Sequence, residues 1–333
     1  MRELEYLRPG DAAAAVAAVA ENPNAVFLAG GTNLVDHLKL GVAAPELLVD
    51  VRGLPHDDIV EHDGPEGPVL CVGAAVRNSD LAGHPLLRSR APAVARALLS
   101  GASPQIRHQA TTGGNLLQRT RCVYFQDVTT PCNKREPGAG CSAHEGYGRY
   151  NAVLGASDHC VAVHPSDLAV ALAAVDAIVV VLGVEGERRI PLVELHRLPG
   201  DRPDLDTTLS HGDLVTSVEI PLTSLARRST YLKARDRASY AFALVSVAGA
   251  LELDGDTVRD VRIAWGGIAH KPWRATRAED ALRGGALTPE RVREAAEVEL
   301  ADARTTDQNA WKVPMVRNAT AQVLAALAGD VTG

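Results

Sequence analysis

The chain has no excess of positive charge: 34 lysine and arginine residues stand against 41 aspartate and glutamate residues, a formal net charge of -7. Binding a phosphate backbone needs clustered cations, so nucleic acid is not expected as a partner. Long apolar runs are also missing. No uncharged stretch reaches the roughly 18 residues that would mark a membrane span, and MRELEYLRPGDAAAAVAAVAENPNAV has no basic segment leading into an apolar core. The expected compartment is therefore the cytoplasm, or the periplasm if a signal-bearing partner exports the assembly. G-x-G-x-x-G, a Walker loop and C-x-x-C are all absent, as are internal repeats and low-complexity tails.

What is present is ordinary globular composition, 46% apolar and 23% charged, in 333 residues, enough for two or three packed domains. Residues 1–55 read as a small α/β unit: a strand in LEYLRP, an Ala-rich helix, a strand in AVFLAG, a helix after GGTN and a strand in ELLVDV. Residues 56–224 open with a hairpin. A helical stretch follows from Ser79 to Leu99, with Leu81, Leu86, Leu87, Val94 and Leu98 on one face. Further on come a helix in PSDLAVALAAV and strands in AIVVVLG, RRIPLVEL and LVTSVEIPL. Residues 227–330 read as a three-stranded antiparallel sheet, turned at DGD, with two closing helices. The class is α+β. Cys71, in the apolar run PVLCVGAAV, is expected to be a small core residue.

Two glycine loops carry the first candidate site. FLAGGTNLVDHL runs from a strand through Gly30, Gly31, Thr32 and Asn33 into a helix, so main-chain N–H groups converge where a phosphate is welcome. ATTGGNLLQ repeats the arrangement at Thr111, Thr112, Gly113, Gly114 and Asn115 and adds hydroxyl and amide groups. The bland reading of each is a turn capped by Thr or Asn. A pair of such loops suits a diphosphate held between domains without naming the nucleotide.

The second candidate is the stretch between about residues 119 and 161. Cys122, Cys132, Cys141 and Cys160 follow the pattern C-x9-C-x8-C-x18-C, which matches neither common zinc-ribbon nor bacterial ferredoxin spacing. Clustered thiols in a cytosolic chain favour metal over disulfides. The segment has little apolar content, so bonds to a bound centre would offset the entropy of ordering it. Spacing admits zinc and an iron-sulfur cubane equally. His108, His144, His159 and His164 are candidates to support such a centre by hydrogen bonding.

FLAGGTNLVDHLK, QIRHQATTGGNLLQRTRC, HPSDLAVALAA and YLKARDRASYAFALVSVA, in that order, resemble the flavoprotein subunits of the xanthine dehydrogenase and carbon monoxide dehydrogenase family of molybdenum hydroxylases. The cysteine-bearing insertion resembles that of bacterial aldehyde oxidoreductase flavoprotein subunits, which implies a [4Fe-4S] cluster on Cys122, Cys132, Cys141 and Cys160 beside FAD. The resemblance implies a two-subdomain FAD-binding fold of the vanillyl-alcohol oxidase/CO dehydrogenase flavoprotein type plus a C-terminal domain. It implies that Leu28, Ala29, Gly30, Gly31, Thr32, Asn33, Leu34, Val35 and Asp36 wrap the FAD diphosphate. Thr111, Gly114, Asn115 and Gln118 would form the second FAD loop, with Asp167 on polar FAD groups and Lys233 near the flavin ring. No substrate-oxidising catalytic residue is expected in this chain. That chemistry would sit in a large molybdopterin-binding subunit, linked by a small [2Fe-2S] subunit, with electrons leaving the flavin for an external acceptor. A xanthine or N-heterocycle dehydrogenase subunit and a zinc-stabilised interaction module are the alternatives.

Overall fold

Three short N-terminal strands, too brief and too far apart in sequence for hairpins, pair in parallel through intervening helices. In the computed structural model, which describes residues 3–329, β1 (Glu5–Leu7), β2 (Ala25–Leu28) and β3 (Leu47–Asp50) lie in the order β1-β3-β2. The helix Ala12–Glu21 starts at Asp11, whose carboxylate accepts the Ala14 N–H at 2.7 Å. Its Ala15, Val16 and Val19 pack with Ala25, Val49, Leu54 and Leu214 in a small core.

The second sheet is antiparallel. β4 (Ile59–Gly64), β5 (Gly67–Gly73), β6 (Ile178–Gly183), β7 (Gly186–Pro191) and β8 (Leu214–Pro221) stand in the order β4-β5-β8-β6-β7. The two-residue alternation of a strand places Leu70 and Val72, Val179 and Val181, and Val218 and Ile220 in the main core. The same alternation turns Cys71 to the opposite face, where it is half-buried rather than a core residue. The stretch read as one helix from Ser79 to Leu99 is three: Asn78–Gly83, Pro85–Arg90 and Pro92–Ser100. Pro85 and Pro92 each lack the N–H that would continue a helix and instead start the next one. Leu81, Leu87, Val94 and Leu98 are buried as expected.

β9 (Ser229–Ala234), β10 (Val245–Asp254), β11 (Thr257–Gly266) and β12 (Trp273–Arg274) form an antiparallel sheet ordered β12-β11-β10-β9, four strands rather than the expected three. The fourth is two residues long and follows Pro272, too short to carry any alternation in the sequence. Helices Pro289–Glu299 and Lys312–Gly329 close this unit. The helix Asp167–Ala174 is apolar all round and buried from Leu168 onward. It fits between the helix Pro92–Ser100 and strands β10 and β11, joining the two larger sheets.

The cysteine-bearing stretch has one short helix, Val123–Gln126, and is otherwise turns and isolated bridges. Its ends are more apolar than its composition suggests: Phe125, Val153 and Leu154 are each 1% exposed, and the last two join the C-terminal core. Two basic side chains, half-buried Arg135 and buried Lys312, tie the remainder down. Arg135 donates to the carbonyls of Tyr124, Phe125 and Thr130. Lys312 donates to those of Tyr150, Asn151 and Gly267 at 2.7 to 3.0 Å. The segment thus gains order from hydrogen bonds that the sequence pattern does not reveal.

Candidate cofactor cleft and cysteine pocket

β2 delivers the chain at Leu28 into the first glycine loop, and Gly31 takes φ +75°, a left-handed turn that disfavours any side chain. At Gly30 a β-carbon would overlap the carbonyl oxygen of Gln109, while the Gln109 amide donates back to the Gly30 carbonyl at 3.0 Å. The first loop therefore lies directly against the segment leading into the second. There Thr111 caps the helix Thr112–Leu116, its hydroxyl accepting the Gly114 N–H at 3.2 Å. Asn33 makes no cap bond to its own helix. Its side-chain oxygen accepts the Arg119 N–H at 3.0 Å and so pins the first loop to the start of the cysteine segment.

Between these loops and β8 lies a cleft of about 250 Å³. Ala29, Gly30, Gly31, Thr32, Asn33 and Leu34 form one wall, with Thr111, Gly113 and Gly114 across from them. Phe27, Leu54, Leu117 and Val215 supply apolar surface, and Arg52, Arg77 and Arg119 reach the lining with a single carboxylate, Asp213. That carboxylate is already bonded to Arg188 at 2.5 Å. Arg77 has no carboxylate partner among the described residues and donates to the Gln109 carbonyl at 2.5 Å. Arg52 and Arg119 are paired with Asp50 and Asp206, each at 2.6 Å, so main-chain loops, apolar walls and the Arg77 cation are what fit an anionic dinucleotide such as FAD. The volume is at the small end for a ligand site, so an extended FAD would fill it with one part and run on along the surface.

Other residues expected at the cofactor do not line this cleft. Leu28 and Val35 flank the loop without lining the cleft, and Asp36 is exposed and paired with Arg121 at 3.3 Å. Asn115 accepts from Gln118 at 2.9 Å and from Ser166 at 2.7 Å, linking the second loop to the start of the helix Asp167–Ala174. Asp167 accepts from Tyr231 at 2.6 Å and Lys233 at 2.7 Å. Lys233, 3% exposed, is thus half of a buried ion pair. Burial, and then Asp167, push the Tyr231 hydroxyl well above its ordinary value. Arg52, Arg77 and Val215 carried no motif that would have marked them, and Arg119 lies within QIRHQATTGGNLLQRTRC with nothing to single it out; the fold brings all four to the cleft.

Cys122, Cys132, Cys141 and Cys160 all line one pocket, with Phe125, Pro131, Ala143 and Ala162 as apolar wall and Asn133, Lys134 and His159 as polar wall. Cys132 and Cys141 face each other across an antiparallel bridge. The N–H groups of Phe125 and Tyr124 point at Cys122, and that of Ala162 at Cys160. Burial pushes the Cys122 thiol up and the Cys160 thiol up to about 11, the latter partly offset by Lys134. Among the described residues no group of three or more His, Cys, Asp or Glu side chains is arranged to hold a metal ion. His108 and His144 are exposed and take no part in the pocket.

Phe125 separates the pocket from the cleft. Its ring meets the edge of His37 at 5.5 Å and lies under the Arg119 guanidinium at 4.8 Å, both cleft residues. Nearby, the rings of His164 and His196 meet at a tilt of 54°, their centroids 4.2 Å apart. Burial holds both, with His270, below the ordinary imidazole value, His196 and His270 at about 4. Asp206 accepts from Arg119 and Lys134, each at 2.6 Å. Burial would raise its carboxyl, but the two cations hold it well below the usual carboxylate range.

Residues 2–223 match the model of the FAD binding domain in molybdopterin dehydrogenase, and residues 229–327 that of the CO dehydrogenase flavoprotein C-terminal domain. The chain is 45% identical over 326 residues to the aldehyde oxidoreductase FAD-binding subunit PaoB of Escherichia coli K12, covering 98% of each. It is 25% identical to the glyceraldehyde dehydrogenase medium chain of Sulfolobus acidocaldarius over 88% of this chain and 86% of that one. The fold matches carbon monoxide dehydrogenase from Hydrogenophaga pseudoflava with a TM-score of 0.76, at 24% identity over 98% of each chain. Among the described residues no helix is long and apolar enough to cross a membrane. With family models covering both halves and one relative matched end to end, the chain belongs to the FAD-binding subunits of the molybdenum hydroxylases, an FAD-dependent oxidoreductase family.

Proposed function

We propose that this chain is the FAD and [4Fe-4S] electron-transfer subunit of a heterotrimeric molybdenum hydroxylase that oxidises aldehydes. A large molybdopterin-binding subunit would carry substrate oxidation. A small [2Fe-2S] subunit would deliver electrons to the FAD, which passes them to an external acceptor. The observation that carries the reading is the 45% identity, along 98% of both chains, to an aldehyde oxidoreductase FAD-binding subunit.

When bound, FAD supplies the exchange between one-electron donors and a two-electron acceptor. The chain's own residues hold and orient it. Gly30 to Asn33 and Thr111 to Gly114 would hold the diphosphate through main-chain groups, Arg77 offers an unpaired cation, and Phe27, Leu54 and Val215 would cover apolar cofactor surface. Asn115, Gln118, Asp167 and Lys233 would act behind this wall, fixing the second loop against the helix Asp167–Ala174.

Two features support the cluster assignment over zinc. Four thiols and no carboxylate line one pocket, and main-chain N–H groups point at two of the sulfurs, an environment suited to iron-sulfur chemistry. Purification from the native host, followed by flavin, iron, sulfide and zinc analysis and a visible spectrum, tests both parts. A flavin spectrum with iron and sulfide in equal amounts is expected. A colourless chain containing zinc would sink the reading, and flavin without iron would sink its cluster half.

A further inference from the structure

One cation in the wall of each pocket shares a single counterion. Lys134, whose side chain is 1% exposed, lines the cysteine pocket and donates to Asp206 Oδ1 and to the Pro203 carbonyl, both at 2.6 Å. Arg119 lines the cleft and donates to Asp206 Oδ2 at 2.6 Å and to the Asp204 carbonyl at 3.3 Å. Arg119 also covers Phe125, the ring that forms the other side of the cysteine pocket. The chain of contacts Lys134–Asp206–Arg119 therefore runs from one pocket to the other through two charge-assisted hydrogen bonds, with a buried lysine at one end.

We infer that the charge of Asp206 acts on both pockets at once: its carboxylate lowers the electron affinity of the group held by the four cysteines and of the flavin in the cleft, against Lys134 and Arg119, which raise it. The inference rests on the FAD and cluster reading above. A fixed charge in partly buried surroundings is poorly screened and is felt by every site beside it. With Asp206 present, the three charged groups sum to one positive charge between the pockets. Removing the carboxylate leaves two positive charges, and removing Lys134 leaves none. These changes have opposite signs, which a purely structural clasp would not produce.

The test is a reductive titration of the holo-complex containing the full chain, following the flavin by visible absorption and the cysteine-held group by electron paramagnetic resonance. Asp206→Asn is expected to favour the reduced form at both centres, by roughly three- to tenfold in the reduced-to-oxidised ratio at fixed potential. Lys134→Gln, in which Asp206 keeps its bond to Arg119, is expected to favour the oxidised form at both. Asp206→Glu should titrate like the wild type. A shift at one centre alone, or shifts of the same sign in the asparagine and glutamine variants, would overturn the inference. If Asp206→Asn does not fold, Lys134→Gln decides: an unmoved flavin ends the proposal, and a flavin shifted with the cluster supports it. A wild-type chain without iron removes the underlying reading and the inference with it, whereas a one-centre shift removes only the inference.

Discussion

The cleft and the cysteine pocket lie on either side of Phe125, yet they are built from different parts of the polymer. The cleft presents main chain: two loops whose glycines let peptide groups approach a ligand, one resting on the other where Gly30 meets Gln109. The pocket presents side chains: four sulfurs drawn from a 39-residue stretch with little regular structure. A main-chain site tolerates most side-chain changes except at its glycines, whereas a side-chain site fails when one donor atom is lost.

The sharpest way to break that comparison is Cys141→Ser. On the proposed cluster reading, loss of one of four thiolate donors is expected to abolish retention of the iron assigned to these cysteines while flavin content stays near one per chain, read from iron and flavin analysis of the same preparation. Loss of both together would mean that the two regions are one folding unit, and the contrast would collapse. Assembly with normal turnover, in which only the iron assigned to these cysteines is lost, would show that electrons need not pass through this pocket.

Gly30→Ala attacks the other side. The added methyl would overlap a main-chain oxygen, which cannot rotate away as a side chain can, and overpacking of this kind costs about 3 kcal/mol. Thermal unfolding and flavin-to-protein ratio should both fall, with iron content kept. An alanine variant that retains flavin at wild-type stability would show that the loops need not touch.

Lys312→Met asks what holds the cysteine segment in place. Its amine donates to three carbonyls, two of them within that segment; methionine of similar length removes that donor from Tyr150 and Gly267 and leaves Asn151 only the Asn309 amide at 3.5 Å. A cost of about 2–3 kcal/mol is expected. Limited proteolysis should then cut near residues 146–152 before it cuts the glycine loops. Equal protection of the two regions in the variant would show that Lys312 is not the anchor.

The parts of the fold and site that were legible in sequence are those encoded over a few residues. Strand runs such as IVVVLG, the strand-glycine-helix order of both loops and the four cysteines all fall in this class. Pro85 and Pro92 were equally local signals for breaking the helix into three, and their meaning is clear once their missing N–H groups are counted. The rest is long-range. Lys134 meets Asp206 across 72 positions and Lys312 meets Tyr150 across 162, pairings that no window of periodicity contains. Lys233 was expected near the flavin ring with no sign of its ion pair, because alternation on β9 does not reveal that Asp167 waits on a neighbouring helix.

Acid distinguishes the two regions by a smaller margin. His164, His196 and His270 are buried near the cysteine side, and His270 is pushed from 6.5 down to about 4, first by burial and then by Lys134. A folded value below the unfolded one means that the native state prefers neutral imidazole. Its contribution is complete above pH 6.5 and is lost as the pH falls through about 4. At pH 5, roughly 2 kcal/mol of the His270 contribution should be gone. His270→Gln keeps a donor for the Arg197 carbonyl, which His270 Nδ1 meets at 3.0 Å, but cannot take up a proton. Its stability should therefore fall less steeply than that of the wild type between pH 6.5 and 4, measured by denaturant unfolding at each pH. Parallel pH curves for the two proteins would show that this imidazole does not titrate on unfolding, and that acid acts on the cysteine side through the other two histidines.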